Sequence, residues 1–458
     1  MSPVVVVEDA SGYQGYADSI LAPSTVEELS ANLQRAAALG VPVTPSGAGT
    51  GITGGRCPQG GWLVSTERLR RLEIARGRAV AGAGVLLRDL QAAAARTGQF
   101  YAPDPTEWTA SLGGNIATNA SGSRSFRYGS TRRHVLSLTV VFADGSIRVF
   151  RRGEPLDFPY DPVRQPATTK NAAGYFLPEN ASWTDLLCGS EGTLAFIAEA
   201  ELSLLPQPDS LLAGVVFFPA LDATLNAVEQ WRSVPQLRML EFMDSASLGI
   251  LREDAAAPIP AEARACLMIE QQIDGLDGDP VDAWLERLQS AGALEESWFG
   301  TAPADFERFR AFRHALPESV NARVRSRGFE KISSDLAVPL NRNAEMMAFY
   351  LRELEPRFPG RYAIYGHIGD AHVHVNILPE SAGDAASGRS WMLDAAREAV
   401  RLGGTVSAEH GLGKRKRALL EIMYPPGEIA SMRAVKSRLD PQWRLSPGTL
   451  FPDPNVTI

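Results

Sequence analysis

The chain has 458 residues, with 45 Lys and Arg against 53 Asp and Glu and a net charge of −8. At about 100–200 residues per domain this length suggests two or three domains, and the acidic balance argues against a nucleic-acid binder or a polybasic membrane anchor. Apolar residues make up 45% and charged residues 21%, so disorder as the main state is excluded.

Ser24 and Thr25 can cap a helix over 25–39, with Glu27 and Glu28 in its first turn and Gly40 at its end. A short strand over 41–44 runs into a glycine-rich turn, and a second helix over 86–97 stops at Gly98. Residues 134–150 read as a hairpin turning at Asp144-Gly145. Residues 193–205 alternate like a strand and stop at Pro206 and Pro208, where we place a domain boundary. Beyond it, apolar runs at 212–218, 237–242, 265–273, 331–338 and 361–367 alternate with helical patterns near 220–232, 281–290, 305–323 and 342–354. This β-α-β-β-α-β rhythm predicts an α+β sheet with its helices on one face. The C-terminal stretch reads as helical and ends in a Pro-rich tail. The expected division is 1–208, 209–405 and 406–458.

Cys57, Cys188 and Cys266 form no CxxC pair, which argues against disulfides, cysteine zinc sites and iron–sulfur clusters and for a reduced, cytoplasmic protein. The first residues lack the basic and apolar regions of a signal peptide. No run approaches the ~20 apolar residues of a membrane span, which leaves room for peripheral attachment at the inner face of a membrane.

The densest glycine cluster is TPSGAGTGITGG, 44–55. Gly49, Gly51 and Gly54 match G-x-G-x-x-G, but Arg56-Cys-Pro-Gln-Gly-Gly61 follows where a dinucleotide fold needs a helix. A nicotinamide site is therefore rejected, while a loop of small residues with free N–H groups suits a pyrophosphate. PDPTEWTASLGGNIATNASG and CGSEGTLAFIAEAEL are two further small-residue stretches. Three of them suggest backbone wrapped around a large cofactor.

These three segments resemble the FAD-binding domain of the vanillyl-alcohol-oxidase/p-cresol-methylhydroxylase superfamily. With the motifs below, the chain is most similar to the FAD-linked D-2-hydroxy acid dehydrogenases, the branch of D-lactate dehydrogenase, glycolate oxidase and D-2-hydroxyglutarate dehydrogenase. Ser46 and Ala48 stand where many members have Arg and Gly. The resemblance implies a two-part FAD-binding domain, a ferredoxin-like substrate (cap) domain and a C-terminal helical segment returning to the flavin. It implies that Gly47, Ala48, Gly49, Thr50 and Gly51 hold the pyrophosphate. Pro103, Asp104, Ser111, Gly113, Gly114, Asn115, Ala117 and Thr118 would contact the cofactor, as would Glu191, Gly192 and Ile197. The FAD is expected to be non-covalent: His134 is badly placed for a tether, and Cys57 and Cys188 read as packing residues.

Three of the six histidines fall in His367-Ile-Gly-Asp-Ala-His-Val-His374, and a fourth is in Ser-Ala-Glu409-His410-Gly. Such clustering with a carboxylate suits zinc, manganese or iron. Spacing alone leaves the ligands open, since His372 and His374 would share one strand face. The family pattern instead implies His367, His374 and Glu409, with His372 in the place of the family's Asn. An α-hydroxy acid can chelate such a metal, which lowers the hydroxyl pKa. His410 would take the hydroxyl proton and the α-carbon would pass hydride to the flavin. The resemblance places a substrate-binding Arg at Arg313, a Lys near Lys331, and Asn376 beside His374. Arg310 and the run Lys414–Arg417 read as solvated.

The expected protein is an FAD-dependent dehydrogenase, oxidising D-lactate or glycolate. Rival readings are a D-2-hydroxyglutarate dehydrogenase, a metal-free flavin alcohol or sugar oxidase, and a non-catalytic FAD-bearing scaffold. Electrons would leave to a separate acceptor: a quinone, a cytochrome, an electron-transfer flavoprotein or partner subunits. A homodimer is compatible with the sequence.

Overall fold

Residues 4–254 and 257–454 are described by the structure, a computed structural model. The first helix, Val26–Leu39, is capped by the Thr25 hydroxyl, which accepts from the Glu28 N–H, and ends at left-handed Gly40. It packs Leu29, Leu33 and Ala36 with Val43, Trp62 and Val64 from a small parallel sheet of Ser19–Leu21, Trp62–Ser65 and Val43–Ser46. A five-stranded antiparallel sheet follows, centred on Phe196–Ser203 between Val135–Val141 and Arg78–Gly82. These two sheets and the loops between them form the first half of the molecule.

The second half is built on a seven-stranded antiparallel sheet. Four of its strands lie in the order Trp298–Gly300, Leu211–Phe218, Ala265–Gln272, Leu237–Met243. With the helices Leu221–Trp231 and Pro280–Ala291 they make the expected ferredoxin-like unit. Tyr362–Gly366, His374–Ile377 and Ile332–Ser333 extend the sheet beyond Leu237–Met243.

Helices cover both faces of this sheet rather than one. Leu221–Trp231 packs with Leu212, Val216 and Phe218, while Pro303–Ser326 packs Phe309, Phe312 and Leu316 against Ala213, Val215 and Phe217. The strand LLAGVVFF, buried at nearly every position, carries the reason: it has no polar side to leave in water. The run 331–338 is a strand only over Ile332–Ser333, because Ser334 and Asp335 turn to hydrogen-bond the histidine segment and the C-terminal segment.

The C-terminal segment ties the halves together. Thr405 exchanges backbone bonds with Ala337. Lys414 and Arg415 donate to Thr53 O, and Ser446 to Val43 O. No described helix is long and apolar enough to cross a membrane.

Candidate active site

A cavity of about 450 Å³ lies between the two halves, within the usual size of a cofactor or ligand site. The glycine loop, residues 105–122 and residues 191–197 form one wall. The cap sheet supplies Glu241, Tyr365, His367, His374 and Asn376, and the C-terminal segment adds Glu409 and His410.

Residues 47–55 are irregular, with no helix following. The N–H groups of Gly49, Thr50, Gly51 and Ile52 donate to no acceptor among the described residues, whereas those of Ala48 and Gly54 are taken by Ser111 Oγ and Asp9 Oδ2. Unspent donors in a concave loop fit a diphosphate. Residues 111–118, expected to be cofactor-lining backbone, form the short helix Leu112–Ala117. Gly113 lets that helix approach the sheet, since a Cβ there would stand 2.6 Å from Ala83 Cβ.

Opposite this wall the histidines gather. His367 Nε2 and His374 Nε2 lie 3.2 and 3.3 Å from Glu409 Oε1, and His410 Nε2 lies 3.9 Å from it. The other ring nitrogens of His367 and His374 are taken: His367 Nδ1 is 2.6 Å from Glu241 Oε1, and His374 Nδ1 is 3.1 Å from the Ser334 carbonyl. A carboxylate or carbonyl behind each ring is the usual support of a metal-binding imidazole, because it fixes the tautomer that points a lone pair inward. Burial opposes charge on His367, yet the Glu241 and Glu409 carboxylates hold its pKa up at about 9. The same negative field favours a divalent cation, so the donor set fits a metal held by His367, His374 and Glu409.

The other Glu409 oxygen, Oε2, accepts from Ser121 Oγ at 2.6 Å and from Lys170 Nζ at 3.3 Å. Lys170 is fully buried and lies 3.4 Å from Asp370 as well. Burial penalises charge on both Lys170 and Glu409, but their mutual attraction and the nearby ions raise the lysine and hold the carboxyl well below its usual range. Asp335 sits behind His410. Its Oδ2 accepts from Ser407 Oγ and from the Glu409 and His410 N–H groups, while Oδ1 lies 3.1 Å from His372 Nε2 and 3.6 Å from His410 Nδ1. Burial pushes His410 down to about 4 against the pull of Asp335, so its imidazole is neutral near pH 7.

Of the sequence-derived cofactor residues, Gly47, Ala48, Gly49, Thr50, Gly51, Ser111, Gly113, Gly114, Asn115, Ala117, Thr118, Glu191, Gly192 and Ile197 line the cavity. Pro103 and Asp104 do not: Asp104 turns away to pair with Arg124 at 3.3 Å, leaving Pro105 and Thr106 at the wall. Arg313, Lys331 and Asn376 all face the cavity. Arg313 is paired with Glu241 at 2.9 Å. Lys331 has no carboxylate beside it among the described residues, and burial and Lys416 bring it down to about 8.

The alternative pairing of His372 with His374 on one strand face is not realised. Left-handed Ala371 turns the chain and the strand starts only at His374, so His372 does not line the cavity and has Nε2 against Asp335. A ring nitrogen of His372 still lies within 4.8 Å of ligand atoms of His367, His374 and Glu409, which leaves it a fourth candidate ligand. Lys414–Arg417 is not a solvated helix end: Lys414 Nζ donates to Thr449 Oγ1 and Gly55 O, and Lys416 Nζ to Ser333 O. Arg310 is exposed beside Glu307. Cys57 and Cys188 are buried, with burial pushing their thiols up to about 11 and 12, and His134 bonds Ser203 Oγ and Tyr128 O.

Lys170, Glu241, Asp335 and Ser121 are the site residues that sequence reasoning missed. For Glu241 and Asp335 a signal existed, a carboxylate inside an apolar run (LRMLEFM, SSDLAVP). Buried charge of that kind persists only when paired.

Known proteins match this arrangement over nearly the whole chain. Residues 17–151 match the family described as FAD binding domain, and residues 207–450 match FAD linked oxidases, C-terminal domain. Glycolate oxidase subunit GlcD of Bacillus subtilis is 30% identical, the match covering 96% of this chain and 90% of that one. D-lactate dehydrogenase of Archaeoglobus fulgidus is 33% identical (94% and 90%), and D-2-hydroxyglutarate dehydrogenase of Xanthomonas citri 30% identical (94% and 89%). The solved structure of an alkyldihydroxyacetonephosphate synthase superposes with a TM-score of 0.64 at 18% identity, covering 93% of this chain and 75% of that one, and so shares the fold. The glycine loop, the cap sheet and these matches together make the chain a member of the FAD-linked oxidase family, an FAD-dependent oxidoreductase.

Proposed function

We propose that the protein oxidises a small D-2-hydroxy acid, D-lactate or glycolate, to the 2-oxo acid, using non-covalent FAD and a divalent metal at His367, His374 and Glu409. The observation that carries this reading is the convergence of His367, His374 and His410 on one oxygen of Glu409, in the same cavity as the glycine loop. Bound FAD supplies the hydride acceptor and the metal supplies Lewis acidity at the substrate hydroxyl. His410 takes the hydroxyl proton at Nε2, while the Asp335 carboxylate, 3.6 Å from Nδ1, stabilises by its charge the imidazolium that forms. Arg313, steadied by Glu241, and Asn376 orient the substrate carboxylate. Fixing hydroxyl, carboxylate and the carbon facing the flavin selects one enantiomer, and kinship selects D.

Pro317 and Ser333 at the cavity wall bring no second cation, which favours a monocarboxylate. A D-2-hydroxyglutarate reading is supported by one feature, the unpaired ammonium of Lys331. A metal-free sugar oxidase would leave the histidine–glutamate cluster without a purpose, and a non-catalytic scaffold would have no use for the supported Glu409–His410 pair. Among the described residues no His or Cys of the first half lines the cavity, which supports non-covalent flavin. The described cysteines are buried and scattered, in keeping with a reduced cytoplasmic setting and with electrons leaving to a separate acceptor.

The test is turnover of D-lactate, glycolate and D-2-hydroxyglutarate with an artificial acceptor, with and without chelator, beside the flavin spectrum. We expect flavin bleaching on D-lactate or glycolate and its loss after chelation. Neither turnover nor bleaching with any of the three would overturn the proposal.

A further inference from the structure

We propose that Arg56 supplies the counter-charge for the cofactor diphosphate. The assignment rests on the FAD reading of the glycine loop. Arg56 follows that loop and lines the cavity. Its guanidinium lies over Gly49, where a Cβ would stand 1.8 Å from Nη1 and 3.0 Å from Cζ, and Gly49 itself has φ +85°. Position 49 is therefore held as glycine both by its backbone conformation and by the arginine above it.

Arg56 Nε is buried and bonds to nothing among the described residues. The other arginine that lines the cavity differs: Arg313 already has a carboxylate partner, Glu241, at 2.9 Å. Asp9, which is bonded into the loop, turns its oxygens to Ser11, Tyr13 and the Gly54 N–H. An arginine without a counter-ion among the described residues, laid over Gly49 in a loop whose Gly49, Thr50, Gly51 and Ile52 N–H groups also lack acceptors, is a site for a multiply charged anion. In this cavity that anion is a diphosphate. A guanidinium suits it better than an ammonium by geometry, but charge is the main contribution.

FAD binding to the flavin-stripped protein tests this, followed by fluorescence quenching at low and high salt for the wild type, Arg56→Gln and Arg56→Lys. Melting of each stripped protein checks that it folds. We expect Arg56→Gln to raise the FAD dissociation constant at least about tenfold, equivalent to about 1.4 kcal/mol, and to lessen its rise with salt. Arg56→Lys should stay within about threefold of wild type, since it keeps the charge. Arg56→Gln binding FAD within twofold of wild type would overturn the assignment. So would equal weakening by both substitutions with unchanged salt dependence, which is the mark of packing alone. Failure of the wild type to take up FAD would be a different result, and would remove the reading beneath.

Discussion

Asp335→Asn keeps the shape of a fully buried side chain but removes the charge 3.6 Å from His410 Nδ1. At an effective dielectric constant of about 20, two charges at that separation interact by about 4.6 kcal/mol. If about half of that is felt when His410 is half-protonated in the transition state, the barrier rises by about 2.3 kcal/mol, or about 50-fold in rate. The loss should fall on kcat, because Asp335 does not itself line the cavity and acts on substrate only through His410 and Glu409. The sign of the pH effect follows too. Removing an anion disfavours the imidazolium, so the acid limb of the kcat/KM profile should move to lower pH while the plateau drops. The assay is steady-state oxidation of D-lactate with an artificial acceptor, on protein with verified FAD and metal content. A kcat within threefold of wild type, or a loss confined to KM, would refute the role given to Asp335.

Chelation should abolish turnover and leave FAD bound, as the histidine cluster and the glycine loop lie on opposite walls; full activity of His374→Ala in metal-free buffer would contradict this. Burial pushes Glu191 up to about 7 although the Leu412 and Gly413 N–H groups donate to it. Between about pH 4.5 and 7 the folded chain thus keeps a proton that the unfolded chain has lost, and stability should fall as pH rises through that window, by on the order of 3 kcal/mol. Thermal melts of flavin-stripped Glu191→Gln should be flatter over that range, and an unchanged slope would show that Glu191 is not responsible. Lys331→Met should leave kcat/KM for D-lactate within threefold and lower that for D-2-hydroxyglutarate at least about tenfold, about 1.4 kcal/mol of transition-state binding. In the wild type the diacid rate should decline as pH passes about 8, where Lys331 loses its charge; a wild-type ratio favouring the diacid tenfold would replace the monocarboxylate assignment.

The glycine loop was legible because its evidence is local. Small residues followed by Arg56-Cys-Pro exclude a helix, and the structure has none there. The ferredoxin-like strands were legible as apolar runs, whereas the covering of both sheet faces had to be read from a strand lacking alternation. The histidine cluster announced itself through spacing, but its partners did not. Ser121 and Glu409 meet across 288 positions, and Lys170 and Glu409 across 239. A lone lysine in a polar stretch looks solvated until folding surrounds it with carboxylates. Asp104 was misplaced for the same reason: Arg124, which draws it off the cavity wall, lies in another loop.

The return of the C-terminal segment bears on how the chain is made. Val43 receives its backbone partner from Leu445 and Arg444, and Lys436 is buried with its Nζ on Thr193 O and Leu445 O. The nascent flavin-binding half therefore leaves the ribosome with an open sheet edge and must wait for some 240 further residues before it closes. Domains otherwise fold as units during synthesis. Here Glu409 and His410, which complete the candidate site, come from the same late segment. A chain cut before residue 436 would lack both the Lys436 anchor and the Leu445 partner of Val43, leaving the edge of the first half's sheet open, a natural client for chaperones.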